Sequence, residues 1–145
     1  MGKIKKNRQG VMNVAQKVII INDGGKMLTI RRSQTDSVRP FYWDLPGGEL
    51  NLGESAQEGI IREIKEETGL EVCDLFVIDV ISRFNNKDEF WVTICYKAKT
   101  NSNNVVLSYE HDEFKWVDVD SFFELKASPR NKEFVEIFKD SFSQK

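Results

Sequence analysis

The distribution of apolar residues along the chain predicts a mixed α/β fold. Residues 18–21 form a continuous β-branched run, and residues 27–32 form a second apolar run after an Asp-Gly turn, which together predict a β-hairpin. Residues 71–84 and 88–100 predict two long antiparallel strands joined by a short turn. Because the second of these strands is apolar on both faces, we expect it inside a sheet that is covered on both sides.

Four shorter segments complete the predicted fold. An aromatic run at residues 41–45 and a β-branched run at residues 105–109 predict short strands, and residues 120–125 predict a helical turn. At residues 131–142 large apolar side chains recur at helical spacing, which predicts a closing helix. Its core-facing stripe is expected to contain Phe134, Ile137 and Phe138.

The strongest helix signal lies in the middle of the chain. Ser55 followed three residues later by Glu58 is a capping-box pattern that predicts the start of a helix, and Gly69 is suitably placed for a left-handed C-cap. Ile60, Ile61 and Ile64 fall on one side of this helix. We therefore expect an amphipathic helix between these caps, with its apolar side on the sheet.

Three carboxylates share one narrow face of the same helix. Glu63, Glu66 and Glu67 stand at positions i, i+3 and i+4, which are neighbours on a helix surface. One interpretation is a solvated charged face that Arg62 and Lys65 help to keep soluble. The other is a site for a hard divalent cation, because Mg²⁺ and Mn²⁺ bind a few carboxylates together with substrate phosphates.

Composition narrows the class of protein. The 145 residues, 40% of them hydrophobic, fit a single domain at residues 11–145, preceded by a flexible basic tail at residues 1–10. The 21 basic and 23 acidic residues argue against broad binding of a nucleic-acid backbone, although a local phosphate site stays compatible. Cys73 and Cys95 lie in apolar runs without a close partner, so buried free thiols are expected.

The expected location is the cytoplasm. No apolar run of the sequence is long enough to span a membrane, and no signal-peptide core follows the basic residues at the N-terminus. We therefore expect no membrane partner. The sequence leaves the oligomeric state open, a homodimer included.

Two positions before the central helix are candidates for substrate contacts. Arg31 and Arg32 end the second predicted strand, and because successive strand residues face opposite sides, only one of them can face a given site. That arginine is a candidate for a bidentate phosphate contact, with a plain surface role as the alternative. Trp43 is a candidate for stacking on a base, with a core role as the alternative.

The spacing around the central helix resembles that of a known family. Gly48 is followed after five residues by Glu54 and after seven more by Arg62-Glu63-Ile64; Glu66-Glu67 and Gly69-Leu70 then follow at intervals of one residue. This pattern resembles the Nudix box at every specified position. The resemblance implies an α/β/α sandwich with a mixed sheet between helices. It also implies hydrolysis of a nucleoside diphosphate linked to another moiety.

The resemblance implies roles for individual residues of the box. Its cofactor would be Mg²⁺ or Mn²⁺, and the implied ligands are the carboxylates of Glu63, Glu66 and Glu67 and the carbonyl of Gly47. The residues implied to support the box are the pair Glu54 and Arg62, which would hold the loop against the helix, and the glycines Gly48 and Gly69.

Two further segments resemble parts of Nudix sites. Residues 110–117 resemble the acidic loop and strand that close many of them, so a general base is expected at Glu113 or Glu110, ahead of Asp112. His111 is expected to be a loop residue rather than a catalyst. The segment before Asn131 resembles the approach to the base-contacting asparagine of MutT-like members, so this residue is expected either to contact a purine edge or to cap the closing helix.

The expected function is divalent-metal-dependent hydrolysis of a pyrophosphate bond in a small nucleotide. Residues 80–87 lack the proline and tyrosine of subfamilies selective for ADP-ribose or dinucleoside polyphosphates, and no coenzyme A signature is apparent, which leaves a MutT-like (d)NTP pyrophosphatase by elimination. One alternative is removal of a 5′ pyrophosphate from RNA, which predicts a basic surface beside the site. Another is a nucleotide-sensing module without turnover, although such modules usually lose box carboxylates that this chain retains.

Overall fold

The computed structural model describes residues 10–143, so the tail predicted at residues 1–10 lies almost entirely outside the described residues. The strands and helices, in chain order, are β1 (Met12–Ile21), β2 (Met27–Arg32), β3 (Trp43–Asp44), β4 (Gly47–Glu49), α1 (Ala56–Thr68), β5 (Cys73–Phe84), β6 (Phe90–Lys99), β7 (His111–Val117), a 3₁₀ helix (Val119–Glu124) and α2 (Pro129–Ser143). The 3₁₀ helix and α2 match the helical turn and the closing helix that the sequence predicts.

The seven strands described form one mixed sheet. Its main order is β3-β2-β1-β6-β5, with β4 added to β1 and β7 added to β2. Strands β1 and β6 run parallel along their full length, from Met12 opposite Phe90 to Ile21 opposite Lys99, and the other pairs are antiparallel. Both predicted hairpins, β1–β2 and β5–β6, are present, and β6 lies inside the sheet as predicted.

Each face of the sheet packs against a different helix. On β1, Val18 packs with Ile60 and Ile64 of α1, whereas the next residue, Ile19, packs with Phe134 of α2. Successive strand residues point to opposite faces, so one β-branched run supplies both cores. The predicted α/β/α sandwich with a mixed sheet is confirmed.

The central helix α1 begins and ends where the sequence predicts. The Ser55 hydroxyl accepts the backbone N–H of Glu58, and Gly69 adopts the left-handed conformation with φ 71°. The Gly69 N–H donates to the carbonyl of Lys65 at 3.0 Å, which satisfies an otherwise unpaired group at the end of the helix. These caps fix the helix that carries the box carboxylates.

Three short segments differ from the predictions. Residues 105–109 are not a strand, because the Val106 N–H donates to the Thr68 carbonyl at the end of α1 instead of joining the sheet. The aromatic strand shortens to β3 because Phe41 has φ 66°, a left-handed conformation that interrupts a strand. The Pro-Gly-Gly segment at residues 46–48, whose composition predicts a turn, instead leads into the short strand β4, which pairs with β1.

Three predictions about single residues are also corrected. Ile61, expected on the apolar side of α1, is 46% exposed, whereas Ile60 and Ile64 are buried. Ser128 caps α2, since its hydroxyl accepts the Asn131 N–H at 3.2 Å and the helix begins at Pro129, so a capping role for Asn131 is wrong. Cys95 is a buried free thiol as expected, but Cys73 is exposed because it begins β5 at the sheet edge. Among residues 10–143, no helix has the length and hydropathy needed to cross a membrane.

Candidate active site

Two glycines allow the box loop to approach β1 and α1 closely. Gly47 pairs with Lys17, and a Cβ added to it would stand 1.9 Å from the carbonyl oxygen of Gln16. Gly47 also has φ 146°, a conformation that side chains disfavour. A Cβ on Gly48 would stand 2.6 Å from the Glu63 carboxylate. The glycine pair therefore creates the space in which the box carboxylates meet the loop.

The three box carboxylates lie at different depths. Glu67 is buried, its Oε1 accepts the Gly47 N–H at 2.9 Å, and burial raises the pKa of Glu67 to about 8. Glu63 is half-buried, and burial also raises its pKa. Glu66 is exposed at the rim. The face predicted from helical spacing is thus partly withdrawn from water, where carboxylates need compensating partners.

Arg62 connects the box loop with two of these carboxylates. Its Nε donates to Glu54 at 2.6 Å, which is the loop-to-helix pair that the resemblance implies. Its Nη1 lies 3.1 Å from oxygens of both Glu63 and Glu66. The hydrogen bond to Glu54 and the neighbouring carboxylates raise the pKa of Arg62 above its ordinary value. Arg62 therefore holds the loop and partly neutralises the acidic face.

The box carboxylates fit a hard divalent cation in their chemistry. Among residues 10–143, no group of three or more acidic, histidine or cysteine side chains is already gathered as a metal site, and Glu63 and Glu66 turn toward Arg62. Within the same part of the chain, however, the buried Glu67 carboxylate has no ion pair within 4 Å. A divalent cation bound by these oxygens would offset the desolvation that raises the pKa values of Glu63 and Glu67.

Asp44 joins four elements just before the box. One of its oxygens accepts from Arg32 at 2.9 Å, the other accepts from Asn131 at 2.6 Å, and Lys17 Nζ lies 3.1 Å from both. Burial alone would raise the pKa of Asp44, but Lys17 and Arg32 outweigh it and hold this pKa well below its ordinary value. No sequence pattern indicates this buried carboxylate, which orients Arg32 and Asn131.

A cavity of about 550 Å³ opens on the α2 side of the sheet. Ile81 and Thr93 form part of its wall, and Trp91 and Phe84 contribute aromatic surface. Its charged lining residues are Arg32, Arg39, Arg83, Lys87, Arg130 and Glu89. The cavity therefore combines an aromatic surface with a strong excess of positive charge, as a nucleotide site requires.

The cavity and the box are neighbours across the sheet. Thr93 of β6 lies opposite Ala15 of β1, and Ala15 lies opposite Glu49 of β4 on its other side. Because adjacent strands are about 4.8 Å apart, the cavity wall at Thr93 stands roughly 10 Å from Glu49. The Glu49 carbonyl in turn contacts Arg62 of the box helix at 3.5 Å. The cavity wall and the box loop are thus two strand spacings apart within one sheet.

The structure separates the two candidate arginines and the candidate tryptophan. Arg32 lines the cavity, whereas Arg31 faces the other way and pairs with Asp112 at 2.8 Å, as strand alternation requires. Trp43 is buried outside the cavity lining, with Lys115 Nζ 4.8 Å from its ring centre. Trp91 lines the cavity instead, and no sequence pattern indicated this role.

The candidates for a general base lie on and beside β7. Glu113 pairs with Arg31 across the β2–β7 ladder, and its Oε1 lies 3.6 Å from the Arg31 guanidinium. Glu110 is exposed in the turn before β7. His111 is the first residue of β7 and is buried, so its expected loop position is wrong. The described contacts join this group to β2 and not to the box helix.

Comparison with known proteins places the chain in a family. The sequence-family model of the NUDIX domain matches residues 12–138 of this chain. A MutT-like protein of Streptomyces ambofaciens is 28% identical over 75% of this chain, and a putative 8-oxo-dGTP diphosphatase of Bacillus subtilis is 39% identical over 50% of it. The matched segments span 66% and 45% of those relatives, respectively.

The similarity of this chain to solved structures supports the same family. The crystal structure of a MutT protein from Methanosarcina mazei Go1 is 29% identical, has a TM-score of 0.76, and is matched over 94% of this chain and 99% of that one. The match to the family model, the fold and the complete box spacing all support the same family assignment. The chain therefore belongs to the Nudix hydrolase family.

Proposed function

We propose that this chain hydrolyses a nucleoside triphosphate to a nucleoside monophosphate and pyrophosphate with the help of Mg²⁺ or Mn²⁺. The observation that carries this proposal is the basic and aromatic cavity, which lies roughly 10 Å across the sheet from the box loop. That separation suits a nucleotide whose base occupies the cavity and whose phosphates extend to the box carboxylates.

The cavity supplies partners for both ends of a nucleotide. Trp91 offers a ring face for base stacking, which needs no particular base. Arg32, held by Asp44, and Arg39 offer guanidinium groups suited to phosphate oxygens. These contacts fix the orientation of the substrate, with the phosphate chain directed toward the acidic face of α1.

At the box, Glu63, Glu66, Glu67 and the Gly47 carbonyl would hold the metal. A bound divalent cation neutralises phosphate charge and lowers the pKa of water, which supplies the electrophilic part of phosphoryl transfer. Arg62 keeps the loop against α1 through Glu54 and is itself a counter-charge for Glu63 and Glu66 until the cation takes that role.

A carboxylate must orient or deprotonate the attacking water. We propose Glu113 for this step and Glu110 as the second candidate, because both belong to the acidic segment beside β2. For Glu113 to act, its carboxylate must leave Arg31, from which it is separated by 3.6 Å. If Glu113→Gln lowers kcat with little change in KM, the assignment is supported; if only Glu110→Gln does so, the base is Glu110.

The proposal is tested by a substrate panel with purified protein and Mg²⁺ or Mn²⁺. The panel contains nucleoside triphosphates, oxidised ones included, nucleotide sugars, dinucleoside polyphosphates and 5′-triphosphate RNA, with release of pyrophosphate and phosphate measured separately. Preference for triphosphates with pyrophosphate as the product supports the proposal. Turnover restricted to another class of substrate contradicts it.

Variants of the box link any turnover to the site. Glu66→Gln and Glu67→Gln should each lower kcat on the order of a hundredfold or more, because a lost metal ligand removes several kcal/mol of charge stabilisation. Glu71→Gln, which changes an exposed carboxylate just beyond the box, should retain near-normal activity. Near-normal rates in both box variants would overturn the metal assignment.

Removal of a 5′ pyrophosphate from RNA is the second candidate function. This activity predicts a basic surface beside the site. Among the described residues, five Lys and Arg side chains and one Glu side chain line the cavity. Competition between 5′-triphosphate RNA and a free nucleoside triphosphate separates the two activities. Nucleotide binding without turnover of any substrate would instead support the nucleotide-sensing alternative.

A further inference from the structure

Arg130 is a half-buried cation that the proposed hydrolysis leaves without a role. It stands in the first turn of α2 and lines the cavity together with Thr93 and Pro129. In the described chain it forms no ion pair with a carboxylate within 4 Å, unlike Arg32 and Arg83 in the same cavity. A guanidinium in this position is a strong donor group that the protein itself leaves incompletely paired.

The hydrogen bonds of Arg130 are few and long. Nη1 donates to the Thr93 hydroxyl at 3.4 Å, and Nη2 donates to the Asn131 side-chain oxygen at 3.4 Å. Nε is buried and has no hydrogen-bond partner among the described residues. Burial lowers the pKa of Arg130, which is the expected effect of desolvation without a close counter-ion. A buried donor of this kind calls for an acceptor from a ligand.

Asn131 supports Arg130 and is not free to contact a ligand itself. The Asn131 side-chain nitrogen donates to Asp44 at 2.6 Å, so its oxygen is turned to Arg130. Only 1% of the Asn131 surface is exposed. The donors available to the cavity at this point therefore belong to Arg130, although the sequence suggested Asn131 as the residue that contacts a purine.

The position of Arg130 favours a base over a phosphate as its partner. Arg130 contacts Thr93, which is two strand spacings, roughly 10 Å, from Glu49 of the box loop. Phosphates that react at the box cannot also occupy this wall of the cavity. Trp91, two residues from Thr93 on the same face of β6, provides the aromatic surface that a base needs at the same end.

We propose that Arg130 determines base specificity by donating two parallel hydrogen bonds to a nucleobase with two adjacent acceptors. Guanine presents such a pair at O6 and N7, and cytosine presents one at O2 and N3. Adenine and thymine place a donor beside each acceptor on their polar edges, so they leave one N–H of the guanidinium unpaired. This inference rests on the proposed function only in assuming that the cavity holds the base of a nucleotide.

Binding of nucleoside monophosphates tests the inference without requiring turnover. Affinities for dGMP, dCMP, dAMP and dTMP are measured by titration calorimetry, supported by quenching of tryptophan fluorescence. We expect dGMP or dCMP to bind about tenfold to a hundredfold more tightly than dAMP and dTMP. The comparison of dGMP with dCMP identifies which of the two acceptor pairs is used.

Two variants of Arg130 separate its geometry from its charge. Arg130→Met should make the four affinities nearly equal. Arg130→Lys keeps the positive charge but not the planar fork, so it should also lose most of the preference. Arg83→Met changes a cavity-lining arginine that pairs with Glu133 at 3.2 Å, and it should alter all four affinities by a similar factor. Thermal unfolding of each variant checks that the fold is retained.

Several results would overturn the inference. One is that the wild type binds the four monophosphates with equal affinity, and another is that it binds none of them at millimolar concentration. The third is that Arg130→Met still prefers dGMP or dCMP. If Arg130→Met does not fold, an unchanged preference of Arg130→Lys for dGMP or dCMP would overturn the inference in the same way. Selective binding that depends on Arg130, together with no hydrolysis of any triphosphate, would support the inference while contradicting the proposed function.

Discussion

At the scale of single residues, Asp44 is the buried charge with the largest expected effect on stability. Asp44→Asn removes the carboxylate that Lys17 and Arg32 share, and Lys17 is only 6% exposed. Breaking a buried ion pair on one side leaves uncompensated charge, so we expect a loss of about 3 kcal/mol in the free energy of unfolding. Urea denaturation at neutral pH measures this loss.

Asp36 provides the matched control for this change. It also pairs with Arg32, but at 3.4 Å and with a side chain that is 29% exposed. Asp36→Asn should therefore cost less than about 1 kcal/mol, as expected for an ion pair in contact with water. Equal losses in the two variants would mean that burial of the Asp44 network does not govern its contribution.

His111 should make the folded state sensitive to mildly acidic pH. Burial lowers the pKa of His111 from 6.5 to about 4, and Nδ1 has no hydrogen-bond partner among the described residues. The unfolded chain then binds a proton that the folded chain excludes, so stability from this group is full above pH 6.5 and is lost as the pH falls toward 4. We expect a decrease of roughly 2 kcal/mol between neutral pH and pH 5.

A His111→Gln variant isolates this contribution. Glutamine does not titrate in this range, so the free energy of unfolding of the variant should change less between neutral and acidic pH than that of the wild type. Urea denaturation of both proteins at the same two pH values measures the difference. Parallel pH profiles of the two proteins would contradict the assignment to His111.

Single residues of the site are predictable from the sequence where a motif or a strand period fixes their relative positions. Glu54 and Arg62 are joined as the box resemblance implies, because both lie within one local segment. Asp44, Trp91 and Arg130 belong to no such local pattern. Their environment depends on strands and helices that are distant in sequence, and a contact such as Asn131 to Asp44 joins residues 87 positions apart.

At the scale of elements, helices and strands with local sequence signals were predictable, whereas pairings between distant segments were not. Helix α1 was predicted at both ends because Ser55 and Gly69 are caps whose chemistry acts within a few residues. The parallel pairing of β1 with β6 has no such local signal, although it aligns the cavity with the box. Residues 105–109 have a strand-like composition, but the end of α1 takes the Val106 N–H and prevents pairing.

We predict different outcomes when each of the two glycines of the box loop is replaced by alanine. Gly47→Ala would place a Cβ 1.9 Å from backbone oxygen of Gln16, so the β1–β4 pairing cannot persist unchanged. We expect a loss of stability of about 2 kcal/mol or more, comparable to other severe backbone conflicts. In Gly48→Ala the atoms nearest to the added Cβ belong to the movable Glu63 carboxylate, at 2.6 Å, so the change should cost less than about 1 kcal/mol.

We expect Gly48→Ala to affect metal-dependent activity more than it affects stability. In Gly48→Ala the Glu63 carboxylate is displaced from its position on α1, so we expect a folded protein that needs more Mg²⁺ or Mn²⁺ for half-maximal turnover. Thermal unfolding and a metal titration of activity measure the two effects separately. A normal metal requirement in folded Gly48→Ala would indicate that Glu63 does not need its present position.

At the scale of the whole molecule, the sandwich divides its two faces between different tasks. Helix α1 packs on one face and carries the box carboxylates to the loop beside β1, whereas α2 covers the other face and leaves the basic cavity at its first turn. Strand β1 lies between β4 of the box and β6 of the cavity. Strand β1 therefore sets the distance between the two halves of the proposed nucleotide site.

Metal binding should stabilise the entire fold. The half-buried Glu63 and the buried Glu67 have raised pKa values because folding removes them from water, and a divalent cation that binds only the folded state adds RT ln(1 + [L]/Kd) to its stability. At a concentration about a hundred times Kd this amounts to about 2.7 kcal/mol. We expect the thermal midpoint to rise by several degrees with Mn²⁺ or Mg²⁺.

A pair of variants connects this rise with the box. Glu67→Gln removes the buried carboxylate beside Gly47 and should abolish most of the metal-dependent increase in the thermal midpoint. Glu133→Gln removes a carboxylate of α2 that pairs with Arg83, so its midpoint should rise with metal as much as that of the wild type. A wild-type midpoint that does not respond to millimolar metal, or an equal response in Glu67→Gln, would place any bound cation outside the box. Because this measurement requires no substrate, it tests the metal site even if the nucleotide has been assigned wrongly.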